Sequence, residues 1–165
     1  MIPSLALVLL GQQTMKPAPE FIGGQWLNTA APITIASRSG KITLVHFWTF
    51  ACINCKHNLP AVQRLSDTFQ KRGVQVVSIH TPELPSERDF SNVQKAVKQY
   101  GIKYPILFDP ENKNWRAWNN EYWPTLYVVD KHGRVRGSWV GEMNFNGHNG
   151  EGEVSQLVTK LLAEK

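Results

Sequence analysis

The chain holds two cysteines, Cys52 and Cys55, in the run Phe47-Trp48-Thr49-Phe50-Ala51-Cys52-Ile53-Asn54-Cys55. A pair at this spacing closes a small disulfide ring. Its chemistry is thiol–disulfide exchange: one thiolate attacks a disulfide, and the other resolves the mixed disulfide that results. The flanking residues supply what the attack requires. The apolar run from Ile42 to Trp48 has strand composition, and Leu59, Val62, Leu65 and Phe69 follow at helical spacing. Cys52 then stands at a strand-to-helix junction, facing unpaired backbone N–H groups and the positive end of the helix dipole, which stabilise its thiolate. Cys52 is therefore the expected nucleophile and Cys55 the expected resolving thiol.

No other constellation competes strongly. Two cysteines supply neither a four-ligand zinc site nor a disulfide scaffold, so no metal is expected and no cofactor beyond a redox-active Cys52–Cys55 disulfide. Lys56 and His57 flank the pair; either cation would lower a thiol pKa, and the plainer reading is that both are solvated helix residues. His80, His132 and His148 fall at strand ends or in loops without ligand spacing. Glu83, Asp109 and Glu121 cannot be placed relative to the pair from their positions alone.

The elements that must position the pair read as alternating strands and helices. Lys16 to Glu20, with Pro17 and Pro19, is an extended lead-in, and Ile33-Thr34-Ile35 is a short strand turned by Ser39-Gly40 into the Ile42–Trp48 strand. The helix after the cysteines contains Pro60, which should remove one hydrogen bond and bend it, and Gly73 ends it. Val74 to Ile79 is a buried strand. Ser86 with Asp89 resembles a capping box for a helix whose apolar face is Phe90, Val93, Val97 and Tyr100, closed by Gly101. Pro105 to Phe108 is a strand, a short helix runs through Trp115 and Trp118, and Thr125–Val129 pairs as a hairpin with Arg134–Val140 across Asp130-Lys131-His132-Gly133. Asn144 to Gly152 reads as loop, before a final amphipathic helix through Val154, Leu157, Val158, Leu161 and Leu162. This order predicts an α/β domain: a central mixed β-sheet flanked by helices on both faces.

Length and composition agree with one soluble domain, 42% apolar and 10% aromatic. The formal charge of +5 comes from Lys and Arg spread along the chain without a basic run, which argues for a solvated surface and against nucleic acid. Residues 1–19 read as the remnant of a signal or anchor, or an extended lead-in, and residues 20–165 as the domain. Ile2 to Leu10 is apolar, but as a helix it would rise only about 14 Å against a bilayer core of ~30 Å. The basic n-region and cleavage site of a secretory signal are not clear. The expectation drawn from this stretch is an extracytoplasmic protein, either periplasmic or anchored to a membrane by its N-terminus and facing outside.

With these residues in view, the sequence resembles the thioredoxin superfamily, in the branch of extracytoplasmic thiol–disulfide oxidoreductases of the TlpA/ResA type. The Phe47–Cys55 run and Tyr122-Trp123-Pro124 are most similar to the thioredoxin-like domain of DipZ proteins. The resemblance spans residues 20–163, with Pro60 in the helix and the strand–hairpin–helix ending as further matches. It implies a thioredoxin-like fold with an extra N-terminal strand, and a TlpA/peroxiredoxin-type helical insertion between Ile79 and Pro105. It also implies that Pro124 is cis and faces the dithiol, with Trp48, Trp123 and Tyr122 as apolar lips and Trp123-Pro124 holding the substrate chain by strand addition. For Trp48 plain core packing is the alternative. Partners implied are proteins with cysteines or disulfides and a membrane electron donor, with the protein itself a monomer.

Two positions depart from the family pattern. Where thioredoxins carry a buried acid that moves a proton from the second thiol, this chain has His46, either a proton relay or a core histidine bonded to backbone. Where some members serving cytochrome c maturation carry a Glu, three residues after the second cysteine, this chain has Asn58. Two competing functions are also defined. Thr49, three before Cys52, has the spacing by which thiol peroxidases orient a peroxide, although the proline that normally precedes it is missing. Two thiolates with a histidine would suit copper in a metallochaperone, although the cysteine spacing there normally differs.

Overall fold

The computed structural model describes residues 15–165, so the apolar stretch Ile2–Leu10 lies outside the described residues. Six strands form one mixed sheet. In chain order they are β1 (Gln25–Leu27), β2 (Thr43–Trp48), β3 (Gln75–His80), β4 (Ile106–Phe108), β5 (Thr125–Val129) and β6 (Val135–Val140). Their spatial order is β1-β4-β3-β2-β5-β6. β2, β3 and β4 run parallel, while β1, β5 and β6 each pair antiparallel with their neighbours. β2 lies at the centre with all six residues buried, as a strand covered on both faces must be.

Alternation along β2 sends Leu44, His46 and Trp48 to one face, and Val45 and Phe47 to the other. Helices α1 (Ile53–Phe69), α2 (Phe90–Gln99) and α4 (Gly150–Ala163) cover the first face. Leu59, Val62, Leu65, Val93, Val97, Val154, Val158 and Leu161 are buried there with Leu44, Trp48 and Cys55. The second face is thinner. The short helix α3 (Lys113–Ala117) and the segment before β2 pack Trp118, Phe21, Ile33 and Ile35 against Val45, Phe47, Val77 and Ile79. Lys16 to Ala18 lies along the start of β6, bridging at Pro17 and Arg134.

Three local expectations are corrected. The extra N-terminal strand exists, but as Gln25–Leu27 on β4, and Ile33-Thr34-Ile35 is not a strand. Thr34 and Ser37 exchange side-chain and backbone hydrogen bonds, and the Glu20 carboxylate accepts from the amides of Ile35 (2.6 Å) and Ala36 (3.2 Å). Local polar partners thus win over a ladder, and the two isoleucines pack singly. Ser86 caps nothing: it lies inside a 3-10 turn, Pro85–Arg88, and the N-cap of α2 is Asp89, which accepts from the Ser91 amide at 2.8 Å. Asn144–Gly152 is only partly loop, because Asn149 caps α4 and the helix begins at Gly150. A Cβ on Gly150 would fall 2.5 Å from the Trp139 ring, so glycine here serves close packing. As expected, α1 carries Pro60 and the helical stretch ends at Gly73: α1 runs to Phe69 and a 3-10 turn follows that Gly73 closes in the left-handed conformation.

Candidate active site

The two sulfurs meet where β2 ends and α1 begins. Cys52 is the N-cap of α1: its backbone is extended, and its Sγ accepts from the Cys55 amide at 3.2 Å. Both cysteines are free thiols, Cys52 half-buried and Cys55 fully buried. Their environments drive them apart. The Cys55 thiol donates to the Cys52 sulfur, and with the Cys55 and Asn54 amides this outweighs burial and the Glu83 charge, lowering the Cys52 pKa to about 7. Burial pushes the Cys55 thiol far up, and the hydrogen bond to Cys52 and the Glu87 charge add to it. One thiol is therefore half ionised at neutral pH while the other stays protonated.

The register of β2 against β5 brings in the next group. Phe47 pairs with Thr125, so Trp123 and Pro124 stand beside the end of β2 that carries the dithiol. The Trp123–Pro124 peptide is cis. The Trp123 ring packs tilted on Trp115 with centroids 4.0 Å apart, its indole N–H donates to the Thr81 carbonyl (3.1 Å), and it packs against the same apolar cluster as Phe50 and Cys52. Tyr122, Ile53 and Leu84 stand exposed.

Trp48 does not join them. It has no exposed surface, packs in the core with Cys55, and meets His80 edge-on at 5.2 Å, so it offers a substrate nothing and takes the core role instead. His46 is also fully buried. Its Nδ1 pairs with the Ser78 hydroxyl (2.9 Å), its Nε2 has no partner, and neither nitrogen bonds a sulfur. Burial lowers its pKa to about 3, so at neutral pH it is an uncharged core imidazole. His57 pairs with Glu142 (3.2 Å) at the surface. Asn58 is buried, accepting from the Met143 amide (2.8 Å) and donating to the Gly141 carbonyl (3.2 Å), which ties α1 to the segment after β6.

The position-specific surprise is Glu87, fully buried in the inserted segment. One carboxylate oxygen accepts from the Thr49 hydroxyl and the Ala51 amide (2.8 Å); the other accepts from the amides of Glu83 (2.9 Å) and Leu84 (2.8 Å). Burial pushes this carboxyl up, but the four donors outweigh it and hold it below its usual range. Glu87 is N3 of the turn whose N1 is Pro85, a start signature lying one residue from the Ser86–Asp89 pairing drawn from sequence. Because Thr49 gives its hydroxyl proton to Glu87 and is itself buried, it is not free to orient a peroxide.

Among the described residues, no three His, Cys, Asp or Glu side chains are arranged to hold a metal, and no helix is long and apolar enough to cross a membrane. Residues 14–138 match the AhpC/TSA family. This chain belongs to that family. Within it, the chain is 32% identical over 151 residues to the thiol-disulfide oxidoreductase YkuV of Bacillus subtilis, covering 90% of this chain and 96% of that one. It is 38% identical over 123 residues to DipZ of Mycobacterium tuberculosis, covering 73% of this chain but 18% of that longer protein. A solved thioredoxin-like protein in its oxidised form superimposes with a TM-score of 0.76 at 31% identity, over 92% of this chain and 97% of that one. The fold of this AhpC/TSA member is thus thioredoxin-like, as the sequence resemblance implies.

Proposed function

We propose that the chain is a thiol–disulfide oxidoreductase whose substrates are proteins carrying cysteines or disulfides. The observation that carries this reading is the opposed character of two thiols one hydrogen bond apart: Cys52 ionises near neutral pH and Cys55 does not. In the reducing direction the Cys52 thiolate attacks one sulfur of a substrate disulfide, forming a Cys52–substrate bond and releasing the other sulfur as thiolate. Cys55 then loses its proton and attacks Cys52, which forms the Cys52–Cys55 disulfide and frees the second substrate thiol. Two electrons pass to the substrate, and the reverse sequence oxidises a dithiol. Redox equivalents are carried by the two cysteines alone.

Trp123 and Pro124 line the approach to Cys52 from β5, and the substrate chain lies against them in extended form. The apolar stretch Ile2–Leu10 and the similarity to DipZ support a protein that works outside the cytoplasm, tethered at its N-terminus and recharged by a membrane electron donor. The monomer is the working unit. Reduction of a disulfide-bonded protein tests the roles: Cys52→Ser should abolish turnover, and Cys55→Ser should accumulate mixed disulfides visible on a non-reducing gel. Full activity of Cys52→Ser would overturn the assignment.

A further inference from the structure

We infer that Asp109 is a positioning residue for Trp123: one buried carboxylate holds both groups on which the Trp123 ring rests. The inference rests on the reading above, in which Trp123 and Pro124 line the approach to Cys52. Trp123 has two supports. Its indole N–H donates to the Thr81 carbonyl (3.1 Å), and its ring lies against that of Trp115 with centroids 4.0 Å apart. Thr81 follows β3 directly, and Trp115 belongs to α3. Asp109 joins them. Its Oδ2 accepts from the Thr81 hydroxyl (3.2 Å) and from the Trp115 amide (3.1 Å). Its Oδ1 accepts from the amides of Lys113 (2.8 Å) and Asn114 (3.1 Å) and from the Asn114 side-chain amide (3.3 Å). Every partner is a donor, so an amide in this place would set an NH2 against N–H groups.

The carboxylate is itself fixed to the sheet. Asp109 is buried immediately after β4 and donates its own amide to the His80 carbonyl (2.9 Å), while the Thr81 amide donates to the Trp48 carbonyl (3.1 Å) at the end of β2. Hydrogen bonds thus run from the ends of β2, β3 and β4 through Asp109 to two sides of one ring. That ring needs such a frame. Trp123 is only partly buried and stands outside any strand, next to the exposed Tyr122, so what locates it is the acceptor on its indole and the ring beneath it. A hydrogen bond weakens steeply with misalignment, and a shift of the Thr81 carbonyl is passed to the indole directly. A second role falls to Asp109 as well. The Asn112 side chain leaves the start of α3 uncapped, and Asp109 takes the three amides of that turn instead.

Capping and positioning separate at Thr81. Thr81→Val removes the hydroxyl arm but leaves the α3 amides their acceptor, whereas Asp109→Asn disturbs both. The ring can be watched by fluorine NMR of protein labelled with 5-fluorotryptophan, the Trp123 resonance being the one lost in Trp123→Phe. It should shift in Thr81→Val and in Asp109→Asn, and return toward its wild-type position in Thr81→Ser. In steady-state reduction of a disulfide-bonded protein, KM should rise about fivefold in Thr81→Val and Asp109→Asn while kcat falls less than about twofold, a small part of the ~100-fold that a 1 Å displacement costs. Thr81→Ser should recover most of the KM. An unmoved Trp123 resonance, or a wild-type KM, in folded Thr81→Val and Asp109→Asn would overturn the inference if Trp123→Ala raises KM. A change confined to Asp109→Asn would also overturn it, since that marks a helix cap alone. If Asp109→Asn does not fold, Thr81→Val and Thr81→Ser decide. A wild-type KM in Trp123→Ala would instead overturn the reading of Trp123 as site lining, and the inference with it.

Discussion

Cys55 serves Cys52 twice, donating its amide to the Cys52 sulfur at 3.2 Å and pointing its own thiol at the same atom. The residue proposed to resolve the mixed disulfide thus also lowers the Cys52 pKa. The amide contact is fixed by the first turn of α1, but the thiol contact depends on the side chain.

Replacing that side chain should therefore make the nucleophile less acidic. Cys55→Ala keeps the amide and removes the thiol donor, so the half-point of Cys52 alkylation by iodoacetamide should rise above that of the wild type. Cys55→Ser, which keeps a hydroxyl donor, should lie between the two. A half-point that does not move in Cys55→Ala would mean that the helix terminus alone activates Cys52.

Two buried imidazoles should make the fold sensitive to mild acid. His46 and His80 have pKa values lowered by burial to about 3 and about 4, against 6.5 unfolded, with Glu87 partly opposing the shift at His80. Between these values and 6.5 the unfolded chain binds more protons, so stability falls as pH drops below about 6.5, by about 1.4 kcal/mol per pH unit for each histidine. From pH 7 to pH 5 the pair should cost roughly 4 kcal/mol by this slope. Urea unfolding at the two pH values measures it, and His46→Gln should remove about half of the loss.

The two tryptophans should separate stability from substrate handling. Trp48→Phe leaves a cavity in the core and should cost about 1–3 kcal/mol on the scale of large-to-small core changes, with KM for a protein disulfide unchanged. Trp123→Ala should raise KM several-fold, because that ring lies beside Pro124 on the approach to Cys52. Denaturant titration and steady-state kinetics of both variants check the division.

Asn58 should prove to be structural. Asn58→Ala leaves the buried Met143 amide without an acceptor and frees the Gly141 carbonyl, a loss of about 1–3 kcal/mol by the cost of an unsatisfied buried group. Thermal unfolding should fall accordingly, while the half-point of Cys52 alkylation stays in place.

Much of this was legible in the residues because the strongest signals were periodic or singular. The cysteine pair, the β2 run, the α1 stripe and the β5–β6 hairpin all follow from spacing that one element alone satisfies. Ile33 to Ile35 misleads because β-branched residues propose a strand while Thr34, Ser37 and Glu20 supply local partners that win. Trp48 misleads because alternation puts it on the face that holds Cys55, and only the packing of α1 and His80 decides that this face is sealed. Glu87 was hidden for a different reason. Its partners are three backbone amides and one hydroxyl, and backbone groups leave no mark in a sequence.

The central place of β2 has a further consequence for how the molecule is made. Its partners β3 and β5 both follow helix α1 in the chain, β3 from Gln75 and β5 only from Thr125, and Trp123 reaches its place beside the dithiol only when β5 has docked. A chain still leaving the ribosome carries Cys52 before the Trp123–Pro124 segment has been placed beside it. Any selectivity that Trp123 and Pro124 confer, as proposed above, would therefore be acquired late in biosynthesis, by non-local closure.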